Sequence, residues 1–199
     1  RAYQSYRQPG SSIKPLIVYL PALERGYTDR SVLTDIDVEK AKEEPEKVLE
    51  MYGAKITLRA AVESSKNGAA WRLFCEITPK EGLSYLQNMS FNRIVPDDYY
   101  PASSLGGFTY GTTTVEMANA YSCVANHGQF QQTDCIVSIL DKYGEELYEP
   151  YEIRQVYGAE QADLMIDILK GVIKKGTARK MGWKSTVEAA GKTGTTNNS

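Results

Sequence analysis

Between Ala159 and Lys175 the apolar residues Leu164, Ile168 and Val172 recur at helical spacing, with Met165, Leu169 and Ile173 beside them. This pattern predicts a helix buried on a broad face and stopped by Gly176. Near the start, Pro9-Gly10 breaks the chain, and a helix is expected from near Ser11 to about Glu24. Pro15 fits its first turn, and Pro21 should kink or loosen the later part. Leu58 to Ser64 reads as a short helix capped by Thr57, followed by a loop at Ser65 to Asn67 and a helix from about Gly68 to Glu76. Thr78-Pro79-Lys80-Glu81 and Thr113-Thr114-Val115-Glu116 are capping boxes opening helices to about Met89 and Ala125. Asn126-His127-Gly128 ends the second of these. Cys135 to Leu140 is β-branched and apolar, with a hairpin turn expected at Tyr143-Gly144-Glu145, and Ala189 to Thr195 reads as a strand. The charged run Glu39 to Lys47, interrupted at Pro45, reads as a solvated loop or charged helix face and not as a binding site.

The 199 residues, 42% of them hydrophobic, suffice for one sizeable core in two lobes. A net charge of −2 gives no reason to expect nucleic acid or an anionic membrane surface as partner. No apolar run approaches the roughly 20 residues of a membrane-spanning helix. The three cysteines cannot all pair with one another. Cys75 and Cys123 read as buried helix residues, where a free thiol acts as a small apolar side chain. Were the domain exported, its free thiols would point to a poorly oxidising habitat. The one histidine, His127, lies in a turn, so a Ser-His-Asp triad has little to draw on, and no His or Cys cluster suggests a metal site.

Three short strings carry the candidate chemistry: Ser11-Ser12-Ile13-Lys14, Ser65-Lys66-Asn67 and Lys192-Thr193-Gly194. The first type arises by chance about once in a chain of this length, and the third in roughly one such chain in twenty. Ser90-Phe91-Asn92 is a second copy of the middle type and reads as a plain connector. The adjoining Asn88-Met89-Ser90 is formally a glycosylation sequon. Order and flanks raise the specificity: Arg7-Gln8-Pro9-Gly10 precedes the first string, and Gly191 and Thr195-Thr196 flank the third. With these flanks the chain resembles the transpeptidase domain of class A penicillin-binding proteins, the bifunctional cell-wall synthases. The likeness extends through Leu20 to Thr28, Ile56 to Ala61, Leu105-Gly106-Gly107, Glu116 to Tyr121 and Val172 to Ala178. It is weakest from about Thr34 to Ala54, where the family usually has a loop containing Pro and Asn.

The resemblance implies an α/β (α+β) fold of the penicillin-binding protein/serine β-lactamase-like transpeptidase type, with a helix-rich lobe against an antiparallel sheet that is incomplete in this chain. Residues 1–199 would form a partial transpeptidase domain, with residues 23–157 mainly the helical lobe and residues 1–22 and 158–199 the sheet-side lobe. The missing initiator Met and the end at Ser199 are expected of a piece of a longer protein. A glycosyltransferase domain and a membrane anchor would lie upstream, placing the domain on the outer face of the bacterial cytoplasmic membrane.

Spacing of three puts Ser11 and Lys14 one turn apart on one face. A serine hydroxyl needs a base, and lysine serves near pH 7 only if its ordinary pKa of about 10.4 is depressed. Burial and a second cation, naturally Lys192, both do that. By resemblance, Ser65 passes a proton between Lys14 and the leaving amine, Asn67 binds the substrate backbone, and Lys192, Thr193 and Thr195 hold a terminal carboxylate. Gly194 lets the backbone approach closely. The amides of Ser11 and Thr195 would form the oxyanion hole. The implied activity is D,D-transpeptidation of peptidoglycan stem peptides ending in D-Ala-D-Ala, with β-lactam antibiotics as acylating mimics and no cofactor or metal. A D,D-carboxypeptidase or a β-lactam sensor shares the motifs. A serine β-lactamase would need a base for deacylation, in one class a Glu between the second and third strings. Glu44 and Glu46 precede the second, and Glu116 reads as a cap.

Overall fold

Two prolines shape the first helical stretch of this computed structural model, which describes residues 2–196. The chain enters a 3-10 turn at Gly10–Ile13, widens into a π-helical turn at Pro15–Tyr19 and tightens into α1, Leu20–Glu24. Pro15 opens the wide turn, where its missing N–H costs nothing. Pro21 has no N–H for the carbonyl of Ile17, and its ring would crowd that carbonyl in a regular α-helix. The wide turn relieves this, with Leu20 N–H reaching five residues back to Pro15 O. The loosening expected at Pro21 therefore occurs one turn earlier. Ile13, Leu16, Ile17, Val18, Tyr19, Leu20 and Ala22 are all fully buried, so this stretch runs through the core rather than along it.

The strands β1, Val32–Asp35, and β2, Ala54–Thr57, pair antiparallel from Val32↔Thr57 to Asp35↔Ala54. Neither stands out in the sequence, because each is only four residues long. Between them α2, Val38–Glu43, is capped by Asp37, and a 3-10 turn follows at Pro45–Glu50. The charged run is thus a helix broken at Pro45, as expected, but it is not wholly solvated. Ala41 and Val48 are buried against Ile36 and Trp71, and Arg72 donates to the carbonyls of Leu49 and Met51 at 2.6 Å each.

Thr57 ends β2 and caps α3, Leu58–Glu63, accepting the Ala60 N–H at 3.3 Å. After a short turn, α4 spans Asn67–Ile77, so Asn67 is the first helical residue rather than the last loop residue. Thr78 caps α5, Pro79–Asn88. Its box is half closed, because the Glu81 carboxylate turns away to Arg25. The box at α6, Thr114–Ala125, is complete: Glu116 Oε2 accepts the Thr113 N–H at 2.7 Å, and Thr113 Oγ1 accepts the Glu116 N–H at 3.1 Å. The strands β3, Gln129–Phe130, and β4, Arg154–Gln155, form a second antiparallel pair. Helix α7, Ala159–Lys174, buries Met165, Ile168, Leu169 and Val172 against α1, α3 and α6, while Leu164 is only partly covered. No helix among the described residues is long and apolar enough to cross a membrane.

Two expected strands are corrected. Residues 135–140 form no strand: Val137 is 92% exposed, and only the isolated bridge Leu140↔Glu146 closes around the turn at Asp141 to Gly144. A β-branched run makes a strand when a partner and a buried face receive it; here the pairing extends only to the Leu147 N–H bond to Ile139 O at 2.7 Å beside that bridge, and no face is buried. Residues 189–195 have no strand pairing among the described residues; they run past α7, with the Gly191 N–H 3.4 Å from Leu169 O, towards the turn that carries Ser11. Cys123 is buried, as expected, whereas Cys75, expected to be buried, is only half-buried, and Cys135 is exposed.

Helix α5 meets the wide turn so closely that a Cβ at Gly82 would lie 2.5 Å from Ile17 O and against the ring of Phe74. Gly82→Ala is expected to lower stability by about 1–3 kcal/mol, since backbone and a packed aromatic must shift. Urea unfolding of the two proteins measures the difference.

Candidate active site

The three strings converge from separate elements. Gly10 opens the first with φ +56°, a left-handed conformation that glycine adopts without penalty. Space is equally restrictive there, since a Cβ on Gly10 would run into the carbonyl of Thr195. The turn is braced by Ser12 Oγ donating to Pro9 O at 2.6 Å and by the Tyr121 hydroxyl donating to Ser12 O at 2.7 Å. Ser11 and Lys14 are three residues apart where the chain passes from 3-10 to wider helix, which keeps them on one side.

Lys14 is fully buried. Its Nζ donates to Asn67 Oδ1 at 2.6 Å, Ser65 O at 3.0 Å and Lys66 O at 3.3 Å. Three donors thus meet three oxygens, two from the turn after α3 and one from the first residue of α4. That turn forms because the N–H groups of Ser64, Ser65 and Lys66 close back onto α3, and Ser65 takes φ +56°. A non-glycine residue in that conformation is uncommon and is held by its surroundings. Here the surroundings are the ammonium group that its carbonyl receives.

Lys192 enters from the other side. Its Nζ donates to Ser65 Oγ at 2.6 Å and to Thr193 O at 3.1 Å. Thr193 Oγ1 lies 2.7 Å from Thr177 Oγ1. A Cβ on Gly194 would sit 2.8 Å from Pro9 O and 3.4 Å from Ser12 N, so glycine is required for this segment to lie on the Ser11 turn. Burial pushes the Lys14 pKa down to about 7, helped by the Lys192 cation and opposed by Asp35. Burial alone pulls Lys192 down to about 8. Two amines near neutrality thus meet at one residue, Lys14 on the Ser65 carbonyl and Lys192 on the Ser65 hydroxyl, and a proton moves between groups of such similar affinity at little cost.

Lys14, Ser65, Asn67 and Lys192 are therefore in direct contact. Gly194 and the Thr195 backbone lie against the turn bearing Ser11, and Thr193 is tied to Thr177. The other candidates fall elsewhere. Ser90 Oγ accepts from Arg154, Phe91 is buried in the core, and His127 pairs with Asp163 at the surface. Sequence reasoning missed Asp35, Tyr121 and Thr177. Asp35 lies in the segment least like the resembled family and carried no local signal, whereas Thr177 and Tyr121 fall in segments that carry the likeness, which was the signal that could have found them.

The family model described as the penicillin-binding protein transpeptidase domain matches residues 1–199. The chain is 33% identical to penicillin-binding protein 4 of Bacillus subtilis over 99% of its own length and 32% of that protein's. It thus spans about a third of the length of that relative. Among solved structures it superposes on the D,D-transpeptidase domain of a peptidoglycan glycosyltransferase from Eggerthella lenta with TM-score 0.74 and 21% identity, covering all of this chain and 56% of that one. The imipenem acyl-enzyme complex of penicillin-binding protein A from M. tuberculosis gives 0.76 at 19% identity, covering 98% of this chain and 50% of that one. These two likenesses establish the fold.

The depressed Lys14 links stability to pH. From about 7 to 10.5 the unfolded chain holds a proton on this lysine that the folded protein does not. Stability contributed by this site therefore rises with pH across that window and is lowest below about 7. Denaturant unfolding at several pH values is expected to show this rise in the wild type and a shallower slope in Lys14→Met.

Proposed function

The chain belongs to the penicillin-binding protein transpeptidase domain family, and on that premise we propose that it is a peptidoglycan D,D-transpeptidase working through an acyl-serine. The observation that carries this reading is the fully buried Lys14, held by the turn of Ser65 to Asn67 and facing Lys192 across Ser65.

Ser11 Oγ attacks the penultimate D-Ala carbonyl of a stem peptide. Lys14 takes its proton. The charged amine uses all three N–H groups on the turn; the neutral amine has two N–H groups and a lone pair. Deprotonation thus releases one acceptor and frees the lone pair for Ser11. The developing oxyanion is stabilised by the backbone N–H groups of Ser11 and Thr195. Ser65 Oγ accepts from Lys192, so its own hydrogen is the one to donate. It gives that proton to the leaving amine and is resupplied by Lys14. The terminal D-Ala departs, leaving an ester on Ser11. An amine of a neighbouring stem peptide then attacks the ester, the Ser11 oxygen regains a proton, and a cross-link results. Lys192, Thr193 and Thr195 hold the substrate carboxylate, with Gly194 keeping the backbone close. Asn67 offers its amide NH2 to the peptide, its oxygen being taken by Lys14.

In this reading the site lies between residues 23–157, which supply Ser65 and Asn67, and the segments 1–22 and 158–199, which supply the rest. β-Lactams acylate Ser11 because the ring-opened product stays attached; the M. tuberculosis neighbour is itself named as an imipenem acyl-enzyme. The name of the E. lenta neighbour supports a glycosyltransferase domain in the same polypeptide. The domain then works on the outer face of the cytoplasmic membrane, anchored by a segment outside these residues.

Intact-mass measurement after incubation with penicillin tests the reading. The expected result is a lasting mass increase equal to the drug, absent in Ser11→Ala. An adduct that hydrolyses within the dead time, or one that survives in Ser11→Ala, contradicts it. Release of D-Ala from a stem peptide without a cross-linked product would make the enzyme a carboxypeptidase.

A further inference from the structure

Asp35 ends β1 where the chain meets the first turn of α4. Its Oδ1 accepts the Ala69 N–H at 3.0 Å, and its Oδ2 lies 3.1 Å from Lys66 Nζ. These two anchors flank Asn67. The approach depends on Gly68: a Cβ there would lie 2.6 Å from Ile36 N, 2.8 Å from Asp35 Oδ1 and closer still to Ile36 O. The Asp35 side chain is only 17% exposed. Among the described residues, Lys192 from the third string and Asp35 act on the charge of Lys14, while Lys66 from the turn and the buried Tyr19 phenol from the same helical stretch face Asp35. Among these Asp35 is the carboxylate, set against three ammonium groups.

We propose that Asp35 is a positioning residue of this site: it clamps Lys66 and Ala69 so that the turn of Ser65 to Asn67 stands ready to receive Lys14, and it supplies the counter-charge to that lysine. This rests on Lys14 being the base that activates Ser11. A nearby anion favours the ammonium form, so Asp35 raises the proton affinity of Lys14 and favours the state that the turn holds by three bonds. Lys66 shares the carboxylate and limits its pull. The pairing also explains why the middle residue of Ser65-Lys66-Asn67 is a lysine here.

The pH dependence of Ser11 acylation by penicillin, followed on the intact protein from pH 5 to 9, tests the proposal. Asp35→Asn keeps an oxygen for the Ala69 N–H and removes the charge. Its ascending limb is expected to move down by about half a pH unit or more, so that at pH 6 it works at about three times the wild-type fraction of its plateau rate. Lys66→Met leaves the carboxylate unshared and removes a cation, so its limb is expected to move up. Opposite shifts from the two variants are what a purely structural role does not produce. An unchanged midpoint in folded Asp35→Asn, or shifts in the same direction, overturns the proposal. If Asp35→Asn fails to fold, Lys66→Met decides alone, and an unchanged midpoint overturns it. A wild type that is not acylated removes the transpeptidase reading instead. The proposal then stands or falls on NMR titration of Lys14 itself, which Asp35→Asn must still move downward.

Discussion

A lysine ammonium held inside the protein is the constraint from which the rest of the arrangement follows. An isolated charge in the interior costs several kcal/mol, on the order of its lost hydration, unless hydrogen bonds replace the water. The helical stretch through Ile13 to Leu23 carries Lys14 into the core because every other side of it is apolar. The turn between α3 and α4 answers with two main-chain carbonyls and the Asn67 amide oxygen. Ser65 takes a left-handed conformation in that turn. Pro15 and Pro21 serve the same end, since the wide turn between them lets the buried stretch continue without a clash.

The site is then assembled by close approach of backbones. Gly10, Gly68 and Gly194 each stand where a Cβ would meet another segment. Gly194 brings the third string onto the Ser11 turn, Gly10 receives it, and Gly68 admits Asp35 beside α4. Lys192 completes the arrangement by bonding to Ser65 Oγ and adding a second positive charge near Lys14. Burial and like charge lower the proton affinity of Lys14, while Asp35 restores part of it. The opposed effects leave an amine that can be either acid or base near neutrality, as proton exchange with a serine hydroxyl requires.

Much of this was legible in the sequence, for reasons that differ by element. The helices α3, α5, α6 and α7 announced themselves by caps and by apolar period, which are local properties. The three strings were legible because their residue types and order are rare in combination. What escaped depends on distant partners. Strands β1 and β2 are short and take their identity from each other. Residues 135–140 and 189–195 have the composition of strands, yet among the described residues neither finds a ladder. Asp35 and Thr177 look like ordinary polar residues until the fold sets one beside Lys66 and Ala69 and the other beside Thr193. Asn67 is the first residue of α4, and its side chain is recruited by Lys14, a contact across 53 positions that no local pattern encodes.

The most direct measurement is NMR titration of the lysine side chains in the intact protein, with Lys14 assigned by its loss in Lys14→Met. A midpoint near pH 7 for Lys14 is predicted, because burial and Lys192 together outweigh Asp35. A midpoint near the ordinary lysine value of about 10.4 would contradict the claim that this buried amine is the base of the site.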